Sequence, residues 1–388
     1  MTAIGARGET VPADAELRPT LLIVGAIVCI ETLFYSILAP LLPHLSDRFG
    51  LSKSEAGALV AMYAAGAFLG ALPSGLAAAR LGAKTTALGG LVLLGGASVL
   101  FGFSPSAPWL YVARLVQGVG CALAWTGGFA WLLAQTPGDR RGRIVGTALG
   151  AAIAGALLGP ALGALAGSIG VRAVFAGLAI PALALVVAGL AVPGAPAEHF
   201  PAPAELGRAV RGNVLHATLM IALAGFLIGT LGVLAPLHLA RLGWTTAGVG
   251  TIFLLTAAVN TAVTPLLGRW SDVVGRATPL RTVLVACVVA SALLALAPGH
   301  WAYAAIVFCG ACAYVQLWTP GMVLLSDAAA ESQLGFVAGF TLMNLAWSPG
   351  HFVGSIFAGA VAQATSDAVP FLVAGALCVA ALRWRVGR

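Results

Sequence analysis

The chain has 388 residues, of which 60% are hydrophobic and 9% are charged, with a formal net charge of +7 and a mean hydropathy of +0.99. Soluble domains carry about 25% charged residues, so a chain this poor in charge cannot cover a water-facing surface. The composition therefore excludes a soluble globular protein and predicts an integral membrane protein.

About twelve apolar segments follow one another along the chain, and each approaches the roughly 20 residues that an α-helix needs to cross a bilayer. We predict an all-α membrane protein with twelve transmembrane helices. Residues 1–19 lack the basic start and cleavage site of a signal peptide, so we expect the first helix to be retained. The predicted spans are 20–43, 54–76, 85–104, 108–134, 144–168, 171–192, 214–239, 246–268, 279–297, 300–327, 334–361 and 369–386.

Basic residues are unevenly distributed between the segments that connect the spans. With a cytoplasmic N-terminus and alternating sides, 15 of the 20 basic residues are cytoplasmic, 4 are outside and Arg114 lies within a span. This is the positive-inside pattern. It predicts a multi-pass protein of the inner cell membrane with both termini in the cytoplasm, and it accounts for the net charge without a nucleic-acid partner.

An internal repeat divides the chain. Gly75 begins GLAAARLGAK and Gly268 begins GRWSDVVGRA, an offset of 193 residues (268 − 75) that also relates Trp125 to Trp318. We therefore predict two tandem six-helix bundles, whose relative rocking would expose a site between them to one side at a time. The predicted units are a cytoplasmic tail (1–19), the N-half (20–193), a cytoplasmic linker (194–213) and the C-half (214–388).

Four stretches resemble signatures of the major facilitator superfamily over nearly the whole chain. GLAAARLGAK resembles GxxxDRxGRK, RLVQGVGCALA (114–124) resembles RxxQGxGxA, and GALLGPALG (155–163) resembles the antiporter signature GxxxGPxxG. The first span, with an acid followed by LAPLLP, resembles the opening of the drug:proton antiporter branch. That branch includes bacterial multidrug exporters and vesicular amine transporters.

Glu31 is the one carboxylate near the centre of a predicted span. A charge at that depth costs about 2.5–3.5 kcal/mol on insertion scales, and a low dielectric favours the neutral carboxyl group. We interpret Glu31 as a proton carrier, with Tyr35 on the same helix face as its predicted hydrogen-bond partner. The alternative is an acid that stays protonated and is satisfied by a neighbouring helix.

Arg114 is the only basic residue inside an apolar span, and its permanent charge requires an anion, water or carbonyl groups. Gln117, Cys121 and Trp125 follow on one stripe, which the resemblance implies faces the substrate cavity. We expect Arg114 to influence Glu31 without direct contact, because the two residues lie at different depths. The alternative is a structural arginine that holds helix ends together.

Several residues of the C-half are assigned from the resemblance. Asp327, near the end of the tenth span, matches an acid of the vesicular amine transporters and is interpreted as a second proton-coupling group; the alternative is a solvated helix end. Asn344 stands where those relatives have an acid, which disfavours an amine cargo. Trp318 and Trp347 are predicted to line an aromatic pocket, and His351 shares the face of Asn344; packing roles are the alternative.

Two turns and one helix are interpreted as gate parts. The resemblance implies that an acid such as Asp272 holds an inner gate shut by contacts with arginine and a helix N-terminus, whereas Ala79 replaces that acid in the first turn. The glycine-rich fifth span is expected to pack closely on its partner in the other half, and its signature favours antiport. Setting of topology and general membrane packing are the alternatives. The assigned gating residues are Gly75, Arg80, Gly82, Lys84, Gly155, Gly159, Pro160, Gly163, Gly268, Asp272, Gly275 and Arg276.

The sequence shows no nucleotide-binding, nucleophile or metal-binding motif. We predict that the protein is not an enzyme and uses no cofactor or metal, with a proton gradient as its energy source. The predicted function is export of a small, largely apolar drug or secondary metabolite in exchange for protons, by a monomer in the bilayer. One alternative is an uncoupled facilitator or proton-coupled permease for a neutral solute such as a sugar. Another is a membrane sensor that does not transport.

Overall fold

A computed structural model describes residues 14–137, 140–195, 200, 203–296, 299–331 and 335–383. The predicted tail and linker are therefore described only in part. Residues 1–13, 196–199, 201–202 and 384–388, which include part of each predicted cytoplasmic terminus, lie outside the described residues.

Long α-helices make up the described chain. Ten segments are long and apolar enough to cross a membrane, and α14 and α15 complete the twelve spans, while α8 lies in the linker. The spans extend beyond most of the predicted limits, and the first begins within the predicted tail. The helices are α1 Asp14–Ser36, α2 Leu38–Phe49, α3 Lys53–Leu81, α4 Ala83–Gly102, α5 Ala107–Ala134, α6 Arg141–Ile169, α7 Val171–Ala191, α8 Pro203–Ala209, α9 Gly212–Arg241, α10 Thr246–Val274, α11 Ala277–Leu296, α12 His300–Gln316, α13 Trp318–Glu331, α14 Phe336–Ala364 and α15 Ala368–Arg383.

Two of the spans are interrupted at similar places by proline. The first span breaks between α1 and α2, where Pro40 cannot donate a backbone hydrogen bond to Ser36. The tenth breaks between α12 and α13, where Pro320 has the same relationship to Gln316. Both breaks lie beside residues that line the space between the two halves.

The internal repeat is visible in the backbone of the two turns. Gly82 between α3 and α4 has φ of 90°, and Gly275 between α10 and α11 has φ of 84°. These values are rarely adopted by residues with a side chain. The repeated glycines are thus explained by turn geometry.

The halves meet through two helix pairs with close backbone approaches. A Cβ atom built on Gly57 of α3 would lie 3.1 Å from the Cα atom of Gly359 in α14, and one built on Gly250 of α10 would lie 2.9 Å from the carbonyl oxygen of Pro160 in α6. Around these contacts a continuous apolar core includes Leu41 of the N-half together with residues of α9 and α10.

The predicted packing of α6 on the other half holds for Pro160, whereas the three glycines of the ridge face a different partner. Cβ atoms built on Gly155 and Gly159 would lie 2.1 Å from the carbonyl oxygen of Cys29 and 1.9 Å from the Oγ of Ser36, and Gly163 similarly faces the break after α1. The ridge therefore packs on the first span of its own half. Contact with the other half comes from the neighbouring face, which carries Pro160.

Candidate functional site

A cavity of about 450 Å³ lies between the two halves, within the size range of small-molecule sites. Its charged lining residues are Glu31 and Arg114, both from the N-half, and most of the remaining wall is apolar or aromatic. The aromatic lining residues are Tyr35, Trp125, Phe253, Tyr314, Trp318 and Trp347.

Glu31 lies in the wall of this cavity and is only 4% exposed. Its carboxylate accepts hydrogen bonds from the Tyr63 hydroxyl of α3, from Trp125 Nε1 of α5 at 2.5 Å and from Thr32 Oγ1 at 3.2 Å. Trp125 Nε1 can only donate, which suits the ionised, acceptor-only form of a carboxylate, whereas the single Thr32 hydroxyl proton is shared with the carbonyl oxygen of Val28 at 2.9 Å. Three separate helices therefore hold one acid at the surface of the cavity.

Arg114 lies close to this acid without forming an ion pair with it among the described contacts. Its Nη1 atom donates to the carbonyl oxygen of Phe34 at 3.1 Å and to Oε1 of Gln117 at 2.9 Å. Its guanidinium carbon lies 4.4 Å from the ring centroid of Tyr63, a cation–π distance. Tyr63 therefore stands between the arginine and Glu31 and touches both.

Tyr35 does not bond to Glu31, so the predicted pair is wrong. Its hydroxyl lies 2.8 Å from Nε2 of His351 in α14, and its ring centroid lies 5.4 Å from that of Tyr63. The donors to Glu31 come instead from α3, α5 and the adjacent Thr32, while the long Tyr35 side chain reaches the other half. The Tyr35–His351 bond consequently joins the two halves beside the cavity.

Gln117 is a predicted cavity residue that is not among the lining residues of the cavity. It is fully buried, and its Nε2 atom donates to Ser98 Oγ of α4 at 3.1 Å while its oxygen accepts from Arg114. The two buried polar partners draw the amide away from the cavity. Cys121 and Trp125, further along the same helix, line the cavity.

The C-half contributes neutral polar groups to the wall. Trp318, Asn344, Trp347 and His351 line the cavity, and Asn344 Nδ2 donates to the carbonyl oxygen of Phe340 at 3.2 Å. A second amide, Asn260, accepts from Gln316 Nε2 at 2.9 Å. The described lining residues of the C-half include no carboxylate, lysine or arginine.

A comparison with protein-family models agrees with this architecture of twelve spans in two repeated halves around a central cavity. Residues 24–349 match the family model described as Major Facilitator Superfamily. The chain belongs to this superfamily. Its members are transporters, so this chain is an MFS-type transporter and not a member of an enzyme family.

Individual relatives agree with this membership. An uncharacterised MFS-type transporter, YcaD of Salmonella newport (strain SL254), is 24% identical over 381 residues, with 92% of each chain covered. The MFS-type transporter ppzB of Metarhizium rileyi is 34% identical over 122 residues, which are 30% of this chain and 25% of that protein. The matched region thus spans about a quarter of the ppzB relative.

Solved structures support the fold. A crystal structure of a bacterial homologue of the human lysosomal transporter Spinster, inward-facing and unoccupied, aligns with a TM-score of 0.76 at 14% identity, covering 96% of each chain. The occupied inward-facing form aligns with a TM-score of 0.77 at 15% identity. At these identities the likeness establishes the superfamily fold alone.

The second turn motif of this superfamily member forms an ion-pair cluster within the C-half. Arg276 Nη1 bonds to Asp272 Oδ1 at 2.6 Å, and Arg276 Nε bonds to Asp327 Oδ2 at 3.2 Å. The hydrogen bond that Arg276 donates to Asp272, reinforced by Asp327, raises the pKa of Arg276 above its ordinary value. Gly268 has open space where a Cβ atom would stand.

Asp327 consequently lies away from the predicted proton pathway. Its side chain is 51% exposed, and it is not among the residues that line the cavity. Because it lies near the end of α13, it reaches the turn that carries Arg276. The structure places it with the predicted gate residues and not with Glu31.

The first turn motif makes different contacts. Lys84 Nζ donates to the carbonyl oxygens of Leu190 at 2.9 Å and Val192 at 2.5 Å, so it caps the C-terminal end of α7. Phe200 of the linker packs where a Cβ atom on Gly75 would stand, and Arg80 is exposed. This turn therefore ties the linker and α7 to the rest of the N-half.

Tyr63 and the bond made by His351 are the features of the site that sequence reasoning missed. Tyr63 is a single polar aromatic residue within an otherwise apolar span, and its position 32 residues after Glu31 gives no periodic link to it. Its signal was the burial of a hydroxyl group in lipid-spanning sequence, which requires a partner.

Proposed function

We propose that this transporter exports a small, largely apolar compound in exchange for protons. The observation that carries the proposal is the buried Glu31 carboxylate at the cavity wall, held by Tyr63, Trp125 and Thr32. An acid in that position changes the charge of the cavity when it gains or loses one proton. The antiporter-like sequence of α6 supports export as the direction.

The hydrogen bonds around Glu31 give protonation a structural consequence. Trp125 Nε1 can only donate, so it has no acceptor role to offer a protonated carboxyl group. A proton on the oxygen nearest Trp125 would make that oxygen a poorer acceptor and weaken the hydrogen bond from the indole. Because Trp125 also lines the cavity, proton binding changes the surface that a cargo molecule meets.

The shape and charge of the cavity support a cargo that is mainly apolar. Trp125, Trp318 and Trp347 offer flat apolar surfaces, and the charges of Glu31 and Arg114 are opposite. A proton arriving from outside neutralises Glu31, and this disfavours binding of the cargo. The protonated site then turns inward. Cytoplasmic cargo then enters as the proton leaves, and the site returns outward.

We also propose a membrane location, an oligomeric state and an energy source for the transporter. It resides in the inner cell membrane with both termini in the cytoplasm, where the basic segments lie. It acts as a monomer and draws on the proton gradient without a cofactor. Its partners are the cargo, protons and the lipid bilayer.

The deciding experiment replaces Glu31 with glutamine. Everted vesicles are energised with a pH gradient that is reported by a quenched acridine dye, and a panel of apolar aromatic compounds is added. For wild-type protein we expect at least one compound to release protons and recover the fluorescence, and E31Q should lower that response at least tenfold.

The matched control is E55Q. Glu55 is an exposed acid in the capping box at the start of α3, where Ser52 is its partner, and glutamine serves equally well in such a box. E55Q should therefore retain the full response. Full gradient-driven transport by E31Q would remove Glu31 from the mechanism.

A second function is favoured by the C-half wall. Asn260 and Asn344 offer uncharged amide groups, which suit a neutral solute such as a sugar. An uncoupled facilitator would move its solute at the same rate when a protonophore collapses the gradient. A proton exchanger would lose accumulation under that treatment.

A further inference from the structure

One end of the bundle carries an ion pair that crosses between the halves. Lys53 Nζ, at the start of α3, lies 2.5 Å from Oδ1 of Asp367, between α14 and α15. The side chains are 26% and 10% exposed, respectively. Of the ion pairs formed between described residues, Lys53–Asp367 is the one that joins the N-half to the C-half.

Asp367 is fixed on its own side by two further partners. His238 Nδ1 lies 2.9 Å from Oδ2, and Arg241 Nη2 also contacts Oδ2. Both residues belong to the last turn of α9 in the C-half. The carboxylate is therefore held in place by the C-half, and Lys53 is the N-half group that it captures.

Further contacts continue from this ion pair toward the cavity along one face of α14. The backbone N–H of Ser54 donates to Gln363 Oε1 at 2.9 Å. One turn deeper, Gly57 meets the backbone of α14 at Gly359. The Tyr35–His351 bond completes the series at the cavity wall.

The position of this series of contacts in the bundle indicates which movement of the halves it opposes. The Lys53–Asp367 pair lies at the end of the bundle opposite the basic turns, which is the predicted outer end. α14 contributes both the face that carries these contacts and the cavity-lining residues His351 and Trp347. In alternating access the halves separate first at one end and then at the other, so outward opening must break this series.

We propose that Lys53 and Asp367 are positioning residues of the transport cycle, whose ion pair closes the outer end and breaks each time the cavity opens outward. The proposal rests on transport by the superfamily fold and not on proton exchange at Glu31. It predicts that loss of the crossing contact, and not of charge in general, raises access from outside.

Cys121 supplies a native reporter because it is the one cysteine among the described lining residues. The test uses purified protein in which Cys29, Cys309 and Cys312 are replaced by alanine, reconstituted in vesicles of known orientation. A membrane-impermeant cationic methanethiosulfonate is applied outside, and labelling of Cys121 is followed by mass spectrometry. A C121A variant defines the background.

Four variants separate the crossing contact from the rest of the cluster. K53M and D367N remove the contact between halves and should raise the outside labelling rate at least fivefold. R241M removes a partner of the same carboxylate within the C-half and should stay within twofold of the parent, as should the conservative K53R. If K53M does not fold, K53Q replaces it.

Two results would overturn the proposal. One is labelling of K53M and D367N at the parental rate, or at the rate of R241M. The other is acceleration seen only when the reagent is applied from the cytoplasmic side. Because no cargo or pH gradient enters the assay, a failure here is distinct from a failure of proton exchange at Glu31.

Discussion

Gly57 and Gly250 occupy equivalent positions of the internal repeat, and each places its helix directly against the other half. A Cβ atom on Gly57 would lie 2.6 Å from the carbonyl oxygen of Ser355, and one on Gly250 would lie 2.8 Å from the Cβ of Ala164. α3 with α14 and α10 with α6 are therefore related contacts of one two-fold repeated interface. This is the arrangement in which two similar halves can rock about a shared cavity.

Substitution at these glycines should weaken the closed interface. G57A and G250A each insert a methyl group into backbone or Cβ contacts, and such overpacking costs about 1–3 kcal/mol. Thermal unfolding of purified protein in detergent should show this loss for both variants. G96A on α4 has open space around its new Cβ atom and should be neutral or more stable. Equal effects of all three variants would contradict the interface role.

The glycine ridge of α6 gives a second prediction about packing, now within the N-half. G155A drives its methyl group into the carbonyl group of Cys29 and should lower the unfolding free energy by about 1–3 kcal/mol. G150A on the same helix meets no atom within 4 Å and should gain up to about 1 kcal/mol from helix propensity. Unfolding in mixed micelles measures the free energy of unfolding of both variants. A G150A variant less stable than the wild type would contradict the prediction that helix propensity decides the effect at this position.

Much of the fold was available from the sequence because lipid imposes a simple rule on length and polarity. Twelve apolar spans and the repeated turns follow from that rule, and the structure with its family match confirms the architecture. Helix faces were less predictable. Gly155, Gly159 and Gly163 indicate a close helix contact, but the sequence does not indicate which helix makes it. In the structure the contacting helix is the first span of the same half.

The site was predictable in its acid and less so in its partners. Glu31 stands out because a carboxylate in a span is costly, and Trp125 and Cys121 share its cavity. Tyr63 and Tyr35 are equally plausible donors by residue type, and only tertiary packing assigns one to Glu31 and the other to His351. Gln117 was misassigned because a stripe on a helix does not reveal that Ser98 competes for the amide.

Replacement of Asp327 tests whether this residue lies outside the proton pathway. Its exposed side chain pairs with Arg276 outside the cavity, and exposed pairs contribute about 0–1 kcal/mol. D327N should therefore retain at least half of the wild-type proton response in everted vesicles, whereas E31Q loses it. A D327N loss as large as that of E31Q would restore Asp327 to the coupling machinery.

Asp367 predicts a specific dependence of stability on pH. Burial opposes the charge, but hydrogen bonds from His238, Lys53 and Arg241 outweigh it and hold the pKa of Asp367 well below its usual range. A carboxyl group with a depressed folded pKa stabilises the fold above its unfolded pKa of about 3.9, and this contribution is lost as pH falls through the folded value.

The difference in unfolding free energy between parent and D367N should therefore stay constant from pH 5 to 8 and shrink only below about pH 4. His238 is retained in both proteins, because its hydrogen bond is among those that lower the pKa of Asp367. A difference that already disappears between pH 7 and 5 would show that Asp367 is not held in its ionised form.

Tyr63 should be coupled energetically to Glu31. Y63F removes the hydroxyl that donates to the buried carboxylate, and a buried group left with one partner fewer costs about 1–3 kcal/mol. In an E31Q background the same change should cost at least about 1 kcal/mol less, because hydrogen bonds to charged groups are the stronger ones. The double-mutant cycle is measured by reversible unfolding in mixed micelles.

Y111F is the matched control, since the Tyr111 hydroxyl reaches only the carbonyl oxygen of Glu55 at 3.3 Å in an exposed contact. This variant should change stability by under about 0.5 kcal/mol. Strictly additive effects of Y63F and E31Q would mean that Tyr63 does not sense the charge of the acid.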